Sequence, residues 1–267
     1  MPGSCYSRSP VASGAHFPSL IVIRKKGRTA RRLRKLVRPI YKPDFADNFG
    51  ILLPLKHPLI TPGIAKEIYF GDYERKEATI VSQRLEADDV VMEIGAGIGF
   101  LSAYCAKNIG SERVFAYDAN PALADIVATT YEANDIQPTF RTAMLGKGVG
   151  KARFFVEAEF WASSANQDIS GRSKEIEVDR IDLNEEIARI RPTFMIVDIE
   201  GGEADLFALA DLSGVKKICV ETHAHVLGND GVTNMLAGLF QQGFCLDLGM
   251  IQKYVFYLYR PQENRAR

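Results

Sequence analysis

A chain of 267 residues is long enough to bury a full core in one large α/β domain with an appendage, and its 46% hydrophobic and 25% charged content excludes a disordered, collagenous or coiled-coil chain. The formal net charge of zero hides a division: residues 1–43 hold 11 of the 33 Lys/Arg and no acid, leaving 22 basic against 33 acidic residues in 44–267. A body that acidic is a poor match to a phosphate backbone, although the basic segment alone could serve one.

Residues 1–19 are rich in Ser, Pro and Gly and are expected to be poorly ordered. From Arg24 to Arg38 nine of fifteen residues are basic, with Ala30, Leu33, Leu36, Val37 and Ile40 at helical spacing. A solvated helix docking on the body, or a misplaced translation start, is the plainer reading of that segment; nucleic-acid or anionic-membrane contact is the alternative. No run approaches the ~18 apolar residues of a transmembrane helix, and Leu20-Ile21-Val22-Ile23 is too short for a signal-peptide core, so a soluble, unexported, cytoplasmic protein is expected. Cys5, Cys105, Cys219 and Cys245 have no metal-clip spacing and fit free thiols.

The boundaries expected are a basic, partly disordered extension over 1–43, a helical lead-in over 44–88 that includes a helix around 74–86, and the main domain over 89–267. Val90 to Ile94 reads as a buried strand, followed by a glycine turn and a helix from about Phe100 to Asn108. Val114–Tyr117 reads as a second strand ending at Asp118, with a helix opening at Pro121. Strands Ala152–Val156 and Glu175–Val178 flank a polar loop, 157–174, that carries the only tryptophan, Trp161; a loop that long is usually functional or disordered, and it suits a cover over a ligand site. The alternation then resumes: strand Phe194–Val197, a helix from Glu203, strand Lys217–Val220, and a helix from about Gly231. Two closing strands, Cys245–Leu248 and Tyr254–Tyr259, predict an antiparallel hairpin edge. The fold expected is α/β, a doubly wound, mostly parallel sheet.

Glu93-Ile94-Gly95-Ala96-Gly97-Ile98-Gly99 is the strongest chemical signal, because glycines directly after a buried strand let a nucleoside lie close to the backbone at a helix amino terminus. A dinucleotide turn would require glycine at position 100, which is Phe, and no GK[ST] follows for a phosphate loop. The acid two residues before the first glycine suits S-adenosylmethionine, whose ammonium it could accept. Asp118 follows at the end of the next strand, where a carboxylate can take both ribose hydroxyls; its bland alternative is a helix cap. Four strands end in acids at the ligand-binding edge, Glu93, Asp118, Asp198 and Glu221. Glu200 and Glu203 follow Asp198, and His223 and His225 follow Glu221. The bland reading of Glu203 is helix capping.

These residues resemble the FkbM-type S-adenosylmethionine-dependent methyltransferases from about Gly71 to Tyr259. The markers are Gly71-Asp72-Tyr73-Glu74, Glu93–Gly99, Tyr117–Pro121, Asn134, Trp161–Ser164, Asp182, Asp198–Glu203, Glu221 with His223, and Gly243-Phe244; the Asp-x-Glu-Gly-x-Glu block is the most specific. The resemblance implies a seven-stranded, Rossmann-like class I methyltransferase fold and methyl transfer, commonly to a hydroxyl of a sugar or secondary metabolite. Family members often carry Asn where Gly97 stands and Lys where Ile196 stands, so no lysine at 196 has a role here.

The donor site expected is Tyr73, Glu93, Gly95, Ala96, Gly97, Gly99, Asp118, Ala119 and Ala143. Asp198 and His223 are the candidate bases, with Glu200 and Glu221 orienting them or completing a divalent-cation site. The acceptor expected is a small molecule or glycan. Two other readings are an RNA methyltransferase anchored by the basic segment and a non-catalytic nucleoside-binding module.

Overall fold

In a computed structural model, residues 43–156 and 174–261 are described. The basic segment lies outside them, as does most of the long polar loop with Trp161 and Ser163.

Alternating apolar side chains explain the layering. In β3 (Val91–Ile94) and β9 (Phe194–Val197), Val91, Phe194 and Ile196 face one helical layer, whereas Met92, Ile94, Met195 and Val197 face the other. The first layer holds α1 (Pro62–Phe70), α2 (Arg75–Arg84), α3 (Phe100–Ile109) and α4 (Ala124–Ala133). The second holds α5 (Leu183–Ile190), α6 (Glu203–Leu209) and α7 (Ala224–Gln241).

Between the layers β3, β4 (Val114–Asp118), β5 (Thr139–Thr142), β9 and β10 (Lys217–Glu221) run parallel, while β12 (Val255–Tyr259) inserts antiparallel between β10 and β11 (Cys245–Leu246). The seven-stranded order is β11-β12-β10-β9-β3-β4-β5. This is the doubly wound α/β sheet with the antiparallel edge that the sequence predicts. The hairpin differs in length: β11 has two residues, and a 3-10 turn at Leu248–Met250 occupies the connection.

The lead-in over 44–88 is not wholly helical. It opens with an antiparallel hairpin, β1 (Phe45–Asn48) and β2 (Ile51–Pro54), and Ile51 and Leu53 are fully buried in the first layer's core. Thr61 then caps α1, with Pro62 at its first position, and Gly71 closes it in the left-handed conformation. Beside the main sheet lies a three-stranded one of order β6-β8-β7, formed by β6 (Met144–Gly146), β7 (Gly150–Val156) and β8 (Lys174–Asp182). Among the described residues no helix is long and apolar enough to cross a membrane.

Candidate active site

The carboxyl ends of the parallel strands open into a cleft of about 830 Å³. Gly95 explains how the glycine turn sits there: a Cβ on it would stand 1.7 Å from the Asp198 carbonyl oxygen, so only glycine lets the end of β3 cross the end of β9. The Gly95 and Ala96 N–H groups both donate to the Tyr117 carbonyl, at 2.9 and 3.0 Å, which ties the turn to β4.

Asp118 lines the cleft at the end of β4, where one oxygen accepts from Gly97 N at 3.0 Å and the other from Asn120 N at 2.8 Å. Burial pushes its carboxyl up to about 6 against those two hydrogen bonds. Each carboxylate oxygen has two acceptor positions, so the pair keeps capacity for a diol. Ala119 and Ala143 line the same side. Across the turn, a Cβ on Gly97 would stand 3.2 Å from Tyr73 Oη and 3.3 Å from Glu74 Oε1. The residues between α1 and α2 thus pack directly on Gly97, which leaves no room for a side chain there, and Tyr73, Glu74 and Gly97 line the cleft together. Burial raises both Tyr73 and Glu74 well above their ordinary values.

Glu93 does not face the cleft. Strand alternation turns it toward the first helical layer, where it is 1% exposed and meets the hydroxyl and backbone N–H of Ser102 in the first turn of α3. Burial pushes it up to about 8. The expectation that it accepts a ligand's ammonium is therefore corrected: it caps a helix from below. Ala96 and Gly99 do not line the cleft either. Ala96 is buried within the turn, and Gly99 precedes α3 against Tyr131 and Val127.

At the far end the acids converge. Asp198, Glu200 and Glu221 line the cleft, and α2 adds Lys76 and Glu77. Lys76 Nζ lies 2.8 Å from Glu221 Oε1 and 3.7 Å from Glu77 Oε1, so a cation reaches the strand ends from α2. Burial, then the Glu221 charge, pushes Glu77 up to about 7 and raises Asp198 well above the carboxylate range.

His223 does not line the cleft but reaches the group from behind: Nε2 stands 3.3 Å from Glu200 Oε2 and 3.6 Å from Asp198 Oδ1, and Nδ1 stands 2.6 Å from Glu203 Oε1. Burial alone would lower the imidazole; hydrogen bonds to Glu200 and Glu203, then the Asp198 charge, outweigh it and push it up to about 11. Glu203 is fully buried and also accepts from Gly201 N at 3.0 Å, so it binds His223 and its own loop, which simple helix capping does not describe.

Asp198, Glu200 and His223 each offer one ligand atom, all within 4.8 Å of one another. They could converge on a cation only if His223 gave up its Nε2 proton, and we assign none there. Sequence reasoning gave Glu74 only as a family marker beside Tyr73 and missed Lys76 and Glu77, whose signal was their nearness to that marker.

A family model described as the methyltransferase FkbM domain matches residues 93–244. A curated relative, protein-lysine N-methyltransferase EFM3 of Chaetomium thermophilum, is 27% identical over 89 residues, covering 33% of this chain and 26% of that protein. The match thus spans about a quarter of that relative's length. Solved structures that are similar include two methyltransferases. The precorrin-6y C5,15-methyltransferase of Geobacter metallireducens GS-15 has a TM-score of 0.44 at 15% identity over 70% of this chain and 88% of that one. The magnesium protoporphyrin IX methyltransferase of Synechocystis PCC 6803, with bound SAM, has a TM-score of 0.41 at 15% identity over 75% and 85%.

Proposed function

From the premise that this chain belongs to the FkbM methyltransferase family, we propose that it transfers the methyl group of S-adenosylmethionine to a hydroxyl of a sugar, glycan or small metabolite. The observation that carries the reading is the juxtaposition in one cleft of the Gly95–Gly97 turn, the Asp118 carboxylate and the acids at the ends of β9 and β10. Asp118, Ala119 and Ala143 would hold the nucleoside. Tyr73 and Glu74, which line the cleft beside Gly97, would hold the amino-acid end. When bound, the donor supplies an electrophilic methyl group on a cationic sulfur.

A hydroxyl is barely ionised at neutral pH, so it must lose its proton as it attacks. Asp198 is the group for that role, because it lines the cleft and its raised pKa makes it a stronger base once ionised. Glu221 and Lys76 hold the opposite wall, and positioning supplies much of the remaining rate. Calorimetry tests the donor site: S-adenosylmethionine and its demethylated product should bind in the micromolar range. Binding of NAD in their place would reject the reading.

A second reading has one observation in its favour. The cleft is lined by nine acidic and three basic residues, which favours a neutral or cationic acceptor and repels a phosphate backbone. An amine acceptor would suit it, as in the lysine methyltransferase relative. Labelled methyl transfer into a cell extract before and after acetylation of its amines separates the two: hydroxyl acceptors survive acetylation and amine acceptors do not.

A further inference from the structure

His223 meets acceptors on both ring nitrogens. Nδ1 lies 2.6 Å from Glu203 Oε1, while Nε2 faces Glu200 at 3.3 Å and Asp198 at 3.6 Å. A neutral imidazole has one N–H and one lone pair. Set between carboxylates on both sides, it would turn that lone pair toward an oxygen lone pair. Against ionised carboxylates, only the doubly protonated ring satisfies both sides. Burial sharpens the choice: the side chains of His223 and Glu203 are 9% and 0% exposed, and charges held that far from water need a partner of opposite sign. The groups facing the ring are Asp198, Glu200 and Glu203 from the segment joining β9 to α6, and His225 on its own helix with ring centroids 5.7 Å apart.

We infer that His223 is a positioning residue held as an imidazolium, which fixes the Asp198 and Glu200 carboxylates at the strand ends, and that a carboxylate, not this histidine, takes the acceptor's proton. The Asp-x-Glu-Gly-x-Glu block acquires a physical reason from this: Asp198, Glu200 and Glu203 wrap one ring, and Gly201 N–H braces the innermost carboxylate. In the transfer step the acceptor's O–H bond breaks and its proton passes to Asp198. The freed oxygen pair forms the new bond to the methyl carbon while the carbon–sulfur bond breaks, and the sulfur leaves as a neutral thioether.

The proton-transfer half rests on the methyltransferase reading; the charge on the ring does not. Nitrogen NMR on the full-length chain labelled at histidine tests it without donor or acceptor. The chain has four histidines, and His223→Gln identifies the signal to follow. Both ring nitrogens of His223 should stay protonated from about pH 5.5 to 9, and Glu203→Gln should bring the ring into titration inside that window. A wild-type His223 that is neutral at about pH 7.5 would overturn the inference, because a free lone pair restores the histidine as a base. If Glu203→Gln does not fold, the wild-type titration decides alone. Failure of S-adenosylmethionine to bind would leave this signal unchanged, so the two readings fail separately.

Discussion

Asp118 and Asp198 stand at the carboxyl ends of β4 and β9, the two strands that flank β3, yet their partners give them different work. Asp118 accepts two backbone N–H groups and retains lone pairs toward the cleft, so it is built to hold a neutral, donor-rich group such as a diol. Asp118→Ala should weaken S-adenosylmethionine by roughly 1–3 kcal/mol, the span for a lost hydrogen bond to a charged acceptor, as read by calorimetry. Unchanged affinity would move the ribose elsewhere. Asp198 instead faces other charges, the imidazole on one side and Glu221 on the other. Asp198→Asn keeps the shape but cannot take a proton. Donor binding should persist while labelled methyl transfer falls by roughly 10²–10⁴-fold, the usual effect of losing a general base. Full transfer at saturating donor would leave positioning as the source of the rate.

The turn between β3 and α3 is where sequence and geometry agree most closely, and Gly95 tests that agreement. Gly95→Ala would set a methyl carbon 1.7 Å from backbone that cannot swing aside, so the ends of β3 and β9 must separate. The cost should exceed about 4 kcal/mol, the range reserved for severe strain, and appear as a large fall in melting temperature or loss of soluble protein. That turn was legible because its signals are local: buried strand, glycines, helix and Asp118 lie within one βαβ unit. The cleft's other wall was not, because Lys76 and Glu77 reach Glu221 from about 145 residues away in sequence. Nor was the turn of Glu93 into the helical layer, which depends on strand register. Helix α5 was overlooked although Asp182 caps it and Leu183, Ile187 and Ile190 share one face; its charged surroundings masked a period that was present. β5 gave no apolar run to read, since it is a four-residue edge strand with alternate residues exposed.

From Asp44 onward the described residues hold both cores, so a chain beginning at Asp44 should melt cooperatively within ~5 °C of full length; a larger fall would place the Leu33/Leu36/Ile40 stripe in the fold. Within that body the buried acids set a pH dependence whose sign is fixed. Glu93 rises from 4.5 to about 8 and Glu77 from 4.5 to about 7, so the folded chain holds these protons more tightly than the unfolded one. Their favourable contribution is fully present below 4.5 and is lost as pH rises through 7 and 8. His223, raised from 6.5 to about 11, runs the same way at higher pH: its contribution is complete below 6.5 and declines toward 11. Glu186 opposes them at the acid end. Burial would raise it, but hydrogen bonds from Arg189 and Tyr117 outweigh that and hold it below 4.5, so its contribution disappears as pH falls through its lowered value. Stability should therefore be highest near pH 4.5 and decline from there into the alkaline range. Denaturant titrations across that range read the slope directly. Glu93→Gln removes an ionisable group while keeping the side chain's size and its contact with Ser102, and it should flatten the decline between pH 4.5 and 8. An unchanged slope in that variant would mean that Glu93 ionises in the folded chain as readily as in water, and that the first helical layer is not the dry environment its packing describes.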